Sequence, residues 1–152
     1  MGMVPLDGMS FDRLEASSWA EVLETMAAVA VERGHAADTF PAALVGRERD
    51  HPTGLPTEVP TAIPHADPEH VRATGIAVAR LATPVDFGEM GGSGETVPVQ
   101  LVVMLFVKPS DGHMAALTSV VEAVQDLEAM QRLLDAHGDE DLHERATAVF
   151  GS

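Results

Sequence analysis

Residues 97–107 read VPVQLVVMLFV, the longest apolar run in the chain. A run that is apolar at almost every position and flanked by turn residues is typical of a strand covered on both faces. Pro98 stands near its start, where a missing backbone donor is tolerated. The run is too short for a membrane-spanning helix, which needs about 20 apolar residues. We therefore predict a buried central β-strand.

Helical and strand patterns surround this run. GIAVARL at 75–81 is small and apolar on both faces and predicts a second central strand. Apolar residues at spacings of three and four predict a helix from Ser17 to Gly34, with Ser18 and Glu21 as a capping box. Similar spacings predict four more helices: from Asp38 or Thr39 to 47–49, after a Ser110 or Asp111 cap, from Asp126, and over 139–150.

This order of elements predicts an α/β fold: one layered domain over residues 1–152, with helices on both faces of a small sheet. MSFDRLE at 9–15 could be a short first strand, and Val85 and Phe87 could form another. Residues 1–8 could be disordered. Between the two central strands, GEMGGSGE at 88–95 is interpreted as a flexible turn, because acids flank its glycines and no helix follows to bind phosphate.

Charge and composition exclude several classes of function. Nine basic against 24 acidic residues give a net charge of −15, which disfavours nucleic acid and anionic membranes as partners and favours a partner with a basic face. The chain has no cysteine, so thiolate metal sites and cysteine nucleophiles are excluded. No P-loop and no G-x-S-x-G motif is present. The N-terminus does not resemble a secretory signal, and we expect a cytoplasmic protein.

The stretch TAIPHADPEH at 61–70 raises the question of chemistry, because His65 follows a proline and precedes two acids and another histidine. It ends a proline-rich segment, RDHPTGLPTEVPTAIPHADP, that predicts a long ordered loop. One interpretation is a metal site, since His65, Asp67, Glu69 and His70 are all competent ligands and His51 or His113 could add another. A second is a hydrogen-bonded structural histidine.

The third interpretation is that His65 is a nucleophile. A neutral imidazole keeps a lone pair on one nitrogen, which can attack phosphorus while the other nitrogen donates a hydrogen bond. Such a site needs a rigid ring and positive or donating groups for the phosphoryl oxygens. Pro64 favours an extended Ile63, and Arg47 and Arg49 are the nearest basic residues in sequence. His113 is expected in the first turn of a helix, near its free N–H groups.

Three blocks in order, GRERDHPTGLP with TAIPHADPEHV, then PVDFGEMGG, then PVQLVVMLFVKPSDGHMAAL, resemble the type 2 EIIA domain of the sugar phosphotransferase system. This is the fructose/mannitol family, and Ala66 and Asp67 are closer to its galactitol-type branch. The resemblance implies a mixed sheet with helices on both faces. It also implies a phosphotransferase component that receives a phosphoryl group from phospho-HPr and passes it to the EIIB component of a sugar permease.

By motif position, the resemblance implies that His65 is the phosphoryl acceptor, at Nε2, and that Arg47 and His113 complete the active site. The interval from Thr53 to His65 is longer than in mannitol-type members, so Arg49 could take the place of Arg47. No metal, nucleotide or other cofactor is required. Two alternatives stay open: a regulatory phosphosensor of the same fold that transfers nothing onward, and a small metal-dependent hydrolase at 65–70.

Overall fold

The computed structural model describes residues 3–151. Its sheet has five strands in the order β1-β4-β5-β3-β2. β1 runs parallel to β4 and β3 parallel to β5, whereas the β4–β5 and β2–β3 pairs are antiparallel. The sheet is therefore mixed, as expected. The strand bounds are β1 Pro5–Leu14, β2 Gly54–Leu55, β3 Thr61–Ala62, β4 Gly75–Gly88 and β5 Thr96–Phe106.

Five helices cover both faces of this sheet in the described part of the chain, which confirms the predicted layered α/β architecture. They are α1 Trp19–Glu32, α2 Phe40–Asp50, α3 His113–Val124, α4 Leu127–Leu134 and α5 Asp139–Phe150. A 3-10 turn, Pro68–His70, follows β3. None of the helices in residues 3–151 is long and apolar enough to span a membrane.

Strand β5 explains why the chain needs both helical layers. Because side chains alternate across a strand, β5 supplies apolar residues to two separate cores. Met104 and Phe106 pack on the side of α1 and α2, where the Phe106 ring stacks on Phe40 with centroids 5.1 Å apart. Val103 and Leu105 pack on the opposite side, with α3, α4 and α5. All these side chains are buried, as the unbroken apolar run predicts.

The first strand is longer than its sequence suggests. β1 begins at Pro5, so Pro5–Gly8 lie in the sheet and the suggestion of disorder there is wrong, while residues 1 and 2 lie outside the described part. β1 pairs with β4, which is distant in sequence, so the local pattern of apolar residues cannot show this pairing. β4 itself continues through a register shift between Arg80 and Val85. Val85 and Phe87 therefore extend β4 and do not form a separate strand.

The helix caps agree with the sequence at α1 and differ at α3. The Ser18 hydroxyl accepts a hydrogen bond from the Glu21 N–H, as predicted for α1. At α3 the cap is Gly112, whose φ of 76° is left-handed, and no side chain of the described residues caps the helix. Asp111 is unavailable because its carboxylate accepts a hydrogen bond from the Thr74 hydroxyl. The predicted Ser110 or Asp111 cap is therefore wrong.

The loop between α2 and β4 is held at several points, and these bonds place residue 65. The Ile63 N–H donates to the Thr53 carbonyl at 3.4 Å, and the Leu105 N–H donates to the Pro64 carbonyl at 3.0 Å. His65 thereby forms a parallel bridge with Leu105, at the carboxyl end of β5. Residues 61–66 are all buried, so the long loop is ordered, as expected from its prolines.

Gly46 lies in the interior of α2, and a Cβ added there would meet no atom within 4 Å. We expect Gly46→Ala to raise the free energy of unfolding by about 0.5–1 kcal/mol, because alanine restricts the unfolded chain and suits a helix. Urea denaturation would measure the change. Ala28→Gly, at an exposed position within α1, is the reciprocal control and should lose a similar amount. An unchanged or lower stability of Gly46→Ala would contradict this account of α2.

Candidate active site around His65

His65 lies at the carboxyl ends of the parallel strands β3 and β5, and only 5% of it is exposed. Its Nδ1 is 3.0 Å from the carbonyl oxygen of Ile63. A carbonyl can only accept, so Nδ1 carries the hydrogen and donates it. In the neutral ring the lone pair is then on Nε2, which has no hydrogen-bond partner within residues 3–151. The backbone thus selects one tautomer and leaves the other nitrogen free to act as a nucleophile.

The surroundings of His65 favour this neutral form. Burial is the largest cause that lowers the pKa of His65 from its ordinary value of 6.5. The positive charge of Arg47 and the Coulombic interaction with His113 lower it further, while the bond to Ile63 and the charge of Asp67 act in the opposite direction. The net shift is downward, so the ring is mostly neutral near pH 7 and its Nε2 lone pair is available.

An NMR titration of the His65 ring should therefore have its midpoint below pH 6.5. Because the folded pKa is lowered, the ring stays neutral as the pH falls through 6.5 and gains its proton only at lower pH. Arg47→Met should raise the midpoint, since one of the charges that oppose protonation is removed. A wild-type midpoint at or above 6.5 would show that the ring is less buried than described.

His113 reaches His65 from the first turn of α3. The two ring centroids are 5.2 Å apart and the rings are tilted by 59°. Nδ1 of His113 is buried and has no hydrogen-bond partner in the part of the chain that the structure describes. Leu117, one turn further along α3, lines the same cavity as His65, so this end of α3 faces the site. The two histidines that the sequence analysis assigned to one site are thus close in space.

Arg47 and Arg49 lie on different sides of α2. Residues two apart on a helix point about 200° apart, so only one of them can face the loop. Arg47 lines the His65 cavity, and its Nη1 is 3.7 Å from Oδ1 of Asp67. Arg49 lines a separate groove, with Glu24 and Pro41. The geometry brings Arg47 to His65 and not Arg49.

The three side chains share an unusual property. In the described part of the chain, the buried side-chain polar atoms without a hydrogen-bond partner are Nε2 of His65, Nδ1 of His113 and Nε of Arg47. Leaving a buried polar group unsatisfied costs about 1–3 kcal/mol, so native proteins rarely do it without a reason. Their concentration in one place indicates a site that a polar ligand completes.

A cavity of about 430 Å³ gives access to this site. His65, Arg47 and Thr53 lie in its wall, and its rim includes the exposed residues Asp50, His51 and 90–92. The segment 90–92 reaches the cavity because Gly54 and Gly88 approach closely: a Cβ on Gly54 would lie 2.6 Å from the Gly88 carbonyl oxygen. The glycine-rich turn, interpreted from the sequence only as flexible, therefore forms part of the cavity.

The geometry does not assemble the metal site considered for residues 65–70. No group of three or more potential ligands among residues 3–151 is arranged to hold a metal ion. Asp67 lies within ion-pair distance of Arg47, and Nδ1 of His70 is 2.7 Å from the Thr39 hydroxyl. A metal site at 65–70 would need an extended segment that points alternate side chains at one ion. Residues Pro68–His70 form a 3-10 turn instead, which carries Glu69 and His70 away from His65.

Sequence reasoning missed Glu48, which is buried and binds Thr53 in the cavity wall. Glutamate is usually exposed, so nothing in the letters RER at 47–49 distinguishes it from a solvated helix residue. His51, which the sequence offered as a further metal ligand, lies on the exposed rim of the cavity. Only its position links Glu48 to the site in the sequence, because it directly precedes the proline-rich segment 49–68 that carries His65.

The class of protein is defined by two features: an α/β domain with a five-stranded mixed sheet, and a buried histidine at the end of the central strand β5. Residues 7–147 match the family described as phosphoenolpyruvate-dependent sugar phosphotransferase system, EIIA 2. The chain belongs to this family, and the resemblance noted in the three sequence blocks is confirmed. No curated protein matches the chain by sequence.

Solved structures show the same fold. Enzyme IIA of the mannitol system from Escherichia coli, in a complex with phosphorylated enzyme IIB, has a TM-score of 0.75 at 21% identity, over 96% of this chain and 99% of that one. The mannitol-specific cryptic enzyme IIA from Escherichia coli has 0.76 at 20%, over 95% of both chains. The nitrogen regulatory protein IIA-Ntr from Neisseria meningitidis has 0.70 at 21%, over 95% and 97%.

Proposed function

We propose that this chain is a cytoplasmic phosphocarrier of a sugar phosphotransferase system. It accepts a phosphoryl group from phospho-HPr on Nε2 of His65 and passes it to an EIIB component for sugar uptake. The observation that carries the proposal is the cluster of three unsatisfied polar atoms on His65, His113 and Arg47, beside a cavity that reaches the surface. Membership of the EIIA family supports it.

The chemistry needs no base and no metal. The Nε2 lone pair forms a bond to phosphorus as the bond between phosphorus and the donor breaks, and the donor keeps that electron pair. Positive charge develops on the His65 ring, where the Nδ1–H bond to Ile63 spreads it. The guanidinium of Arg47 and a donating His113 stabilise the phosphoryl oxygens. Transfer to EIIB reverses these steps, so both directions use one set of contacts.

The surface around the site suits a macromolecular partner. Met114, beside His113, is 70% exposed, and Met90 on the cavity rim is 38% exposed. Exposed methionines adapt to different partners, which suits a carrier that must dock a donor and then an acceptor. The net charge of −15 attracts a partner with a basic face and speeds its encounter. One of the similar structures is a complex of IIA with IIB, which supports an EIIB partner.

The direct test incubates the purified chain with phosphoenolpyruvate, enzyme I and HPr. We expect one acid-labile phosphoryl group per chain, and its loss to a purified EIIB. Omission of HPr is the control, and it should leave the chain unlabelled. A chain that stays unlabelled with the complete mixture would refute the proposed function.

The second candidate function is a regulatory phosphosensor that accepts the phosphoryl group and transfers nothing onward. The similarity to the nitrogen regulatory protein IIA-Ntr favours it. The two functions differ in one measurement, because a labelled sensor keeps its phosphoryl group when mixed with EIIB components. Ala66 and Asp67 still suggest the galactitol-type branch for the carrier, and a galactitol-specific EIIB is the first acceptor to try.

A further inference from the structure

Glu48 is a buried carboxylate that the phosphoryl chemistry above does not use. It is 4% exposed, next to Arg47 on α2, and it takes part in no ion pair among the described residues. Removing a carboxylate from water without a paired cation is costly unless hydrogen bonds compensate for it. A position of this kind calls for a reason beyond filling space.

Among the described residues, the hydrogen bonds to this carboxylate all come from Thr53. The Thr53 N–H donates to Oε2 of Glu48 at 2.8 Å, and the Thr53 hydroxyl lies 2.9 Å from Oε1 and 3.1 Å from Oε2. Burial raises the pKa of Glu48, while the bonds from Thr53 and the charge of Arg47 oppose that rise. The carboxylate thus joins the end of α2 to the loop that begins β2.

From Thr53 a continuous path of hydrogen bonds leads to the nucleophile. The carbonyl of Thr53 accepts from the Ile63 N–H at 3.4 Å, and the carbonyl of Ile63 accepts from Nδ1 of His65 at 3.0 Å. The antiparallel pairing of Gly54 with Ala62 runs beside this path. Moving Thr53 would move Ile63, and with it the carbonyl that selects the His65 tautomer.

We propose that Glu48 is a positioning residue for phosphoryl transfer: it clamps Thr53 so that the Ile63 carbonyl holds His65 with its Nε2 lone pair free. The inference rests on the proposed function. Glu48 also stands one residue from Arg47, so the same clamp fixes the helix end that carries the guanidinium against the loop that carries the imidazole. It acts through geometry, because the hydrogen bonds of its carboxylate go to Thr53 and not to the His65 ring.

The experiment compares Glu48→Ala and Glu48→Gln with Glu58→Gln, an exposed glutamate in the same loop that serves as the matched control. The first measurement is the tautomer of neutral His65, read from ring ¹⁵N shifts and couplings in unphosphorylated protein. In Glu48→Ala, part of the neutral His65 population should change from the Nδ1–H tautomer to the Nε2–H tautomer. The second is the rate of phosphoryl uptake, which should fall about 10–100-fold, since small misplacements of a reacting group have effects of this size.

Glu48→Gln should recover most of the rate, because its amide oxygen can accept from the Thr53 N–H and its NH₂ can donate to the hydroxyl. If Glu48→Ala fails to fold, the same two measurements on Thr53→Val test the proposal. This variant removes the hydroxyl that bonds to Glu48 and keeps the backbone N–H. A folded variant with the wild-type tautomer and rate would overturn the proposal. If the wild type takes up no phosphoryl group but Glu48→Ala still changes the His65 tautomer, the clamp is upheld and the proposed function is refuted. The failure of the clamp and the failure of the proposed function can therefore be told apart.

Discussion

Replacing His65 with glutamine is expected to abolish phosphoryl uptake, leaving less than about a thousandth of the wild-type rate, as when a nucleophile is removed from other enzymes. Glutamine has no lone pair on nitrogen that can bond to phosphorus. Its amide can still donate to the Ile63 carbonyl, which now accepts from Nδ1, so the fold should survive. The measurement is transfer of labelled phosphate from phosphoenolpyruvate through enzyme I and HPr.

Two histidine variants make this prediction specific. His51→Gln changes the same cavity at its exposed rim, and the variant should take up label as the wild type does. His113→Gln removes the ring that lies 5.2 Å from His65, and it should slow uptake without abolishing it. If His65→Gln still takes up acid-labile phosphate and His113→Gln does not, the acceptor is His113 and our assignment is wrong.

The sequence was most informative where one local pattern determines one element. The unbroken apolar run of β5 requires cover on both faces, and the spacing of apolar residues in α1 shows one buried face, so the layered fold could be predicted. The strand suggested at 9–15 lies within β1 up to Leu14, but the full length of β1 could not be predicted, because its pairing with β4 is parallel and distant in sequence. The Asp111 cap failed for a similar reason: its carboxylate binds Thr74, 37 residues earlier.

The site divides along the same line. His65 stood out because Pro64 and the buried strand mark its position, and the three sequence blocks supplied the resemblance. The choice between Arg47 and Arg49 needed the rotation of α2 about its axis, which its weakly apolar sequence does not reveal. The role of Glu48 needed the path of the loop back to Thr53, and a buried glutamate has the same letter as an exposed one.

Arg47→Ala is expected to slow phosphoryl uptake about 10²–10³-fold, the usual cost of removing one preorganised donor from a developing negative charge. The guanidinium lines the cavity with His65, and its buried Nε has no hydrogen-bond partner among residues 3–151. Arg47→Lys should fall between, because lysine keeps the charge and loses the planar set of donors. Rates of label transfer at saturating phospho-HPr measure the effect.

Arg49→Ala is the matched control, because it removes the same charge from the same helix and so changes partner attraction equally. Arg49 faces the groove of Glu24 and Pro41, away from His65, and its loss should leave the rate at saturating donor unchanged. Equal losses in the two variants would mean that arginine acts through docking alone. A larger loss for Arg49→Ala would contradict the placement of α2, since only one of two residues on opposite sides of a helix can reach the phosphoryl group.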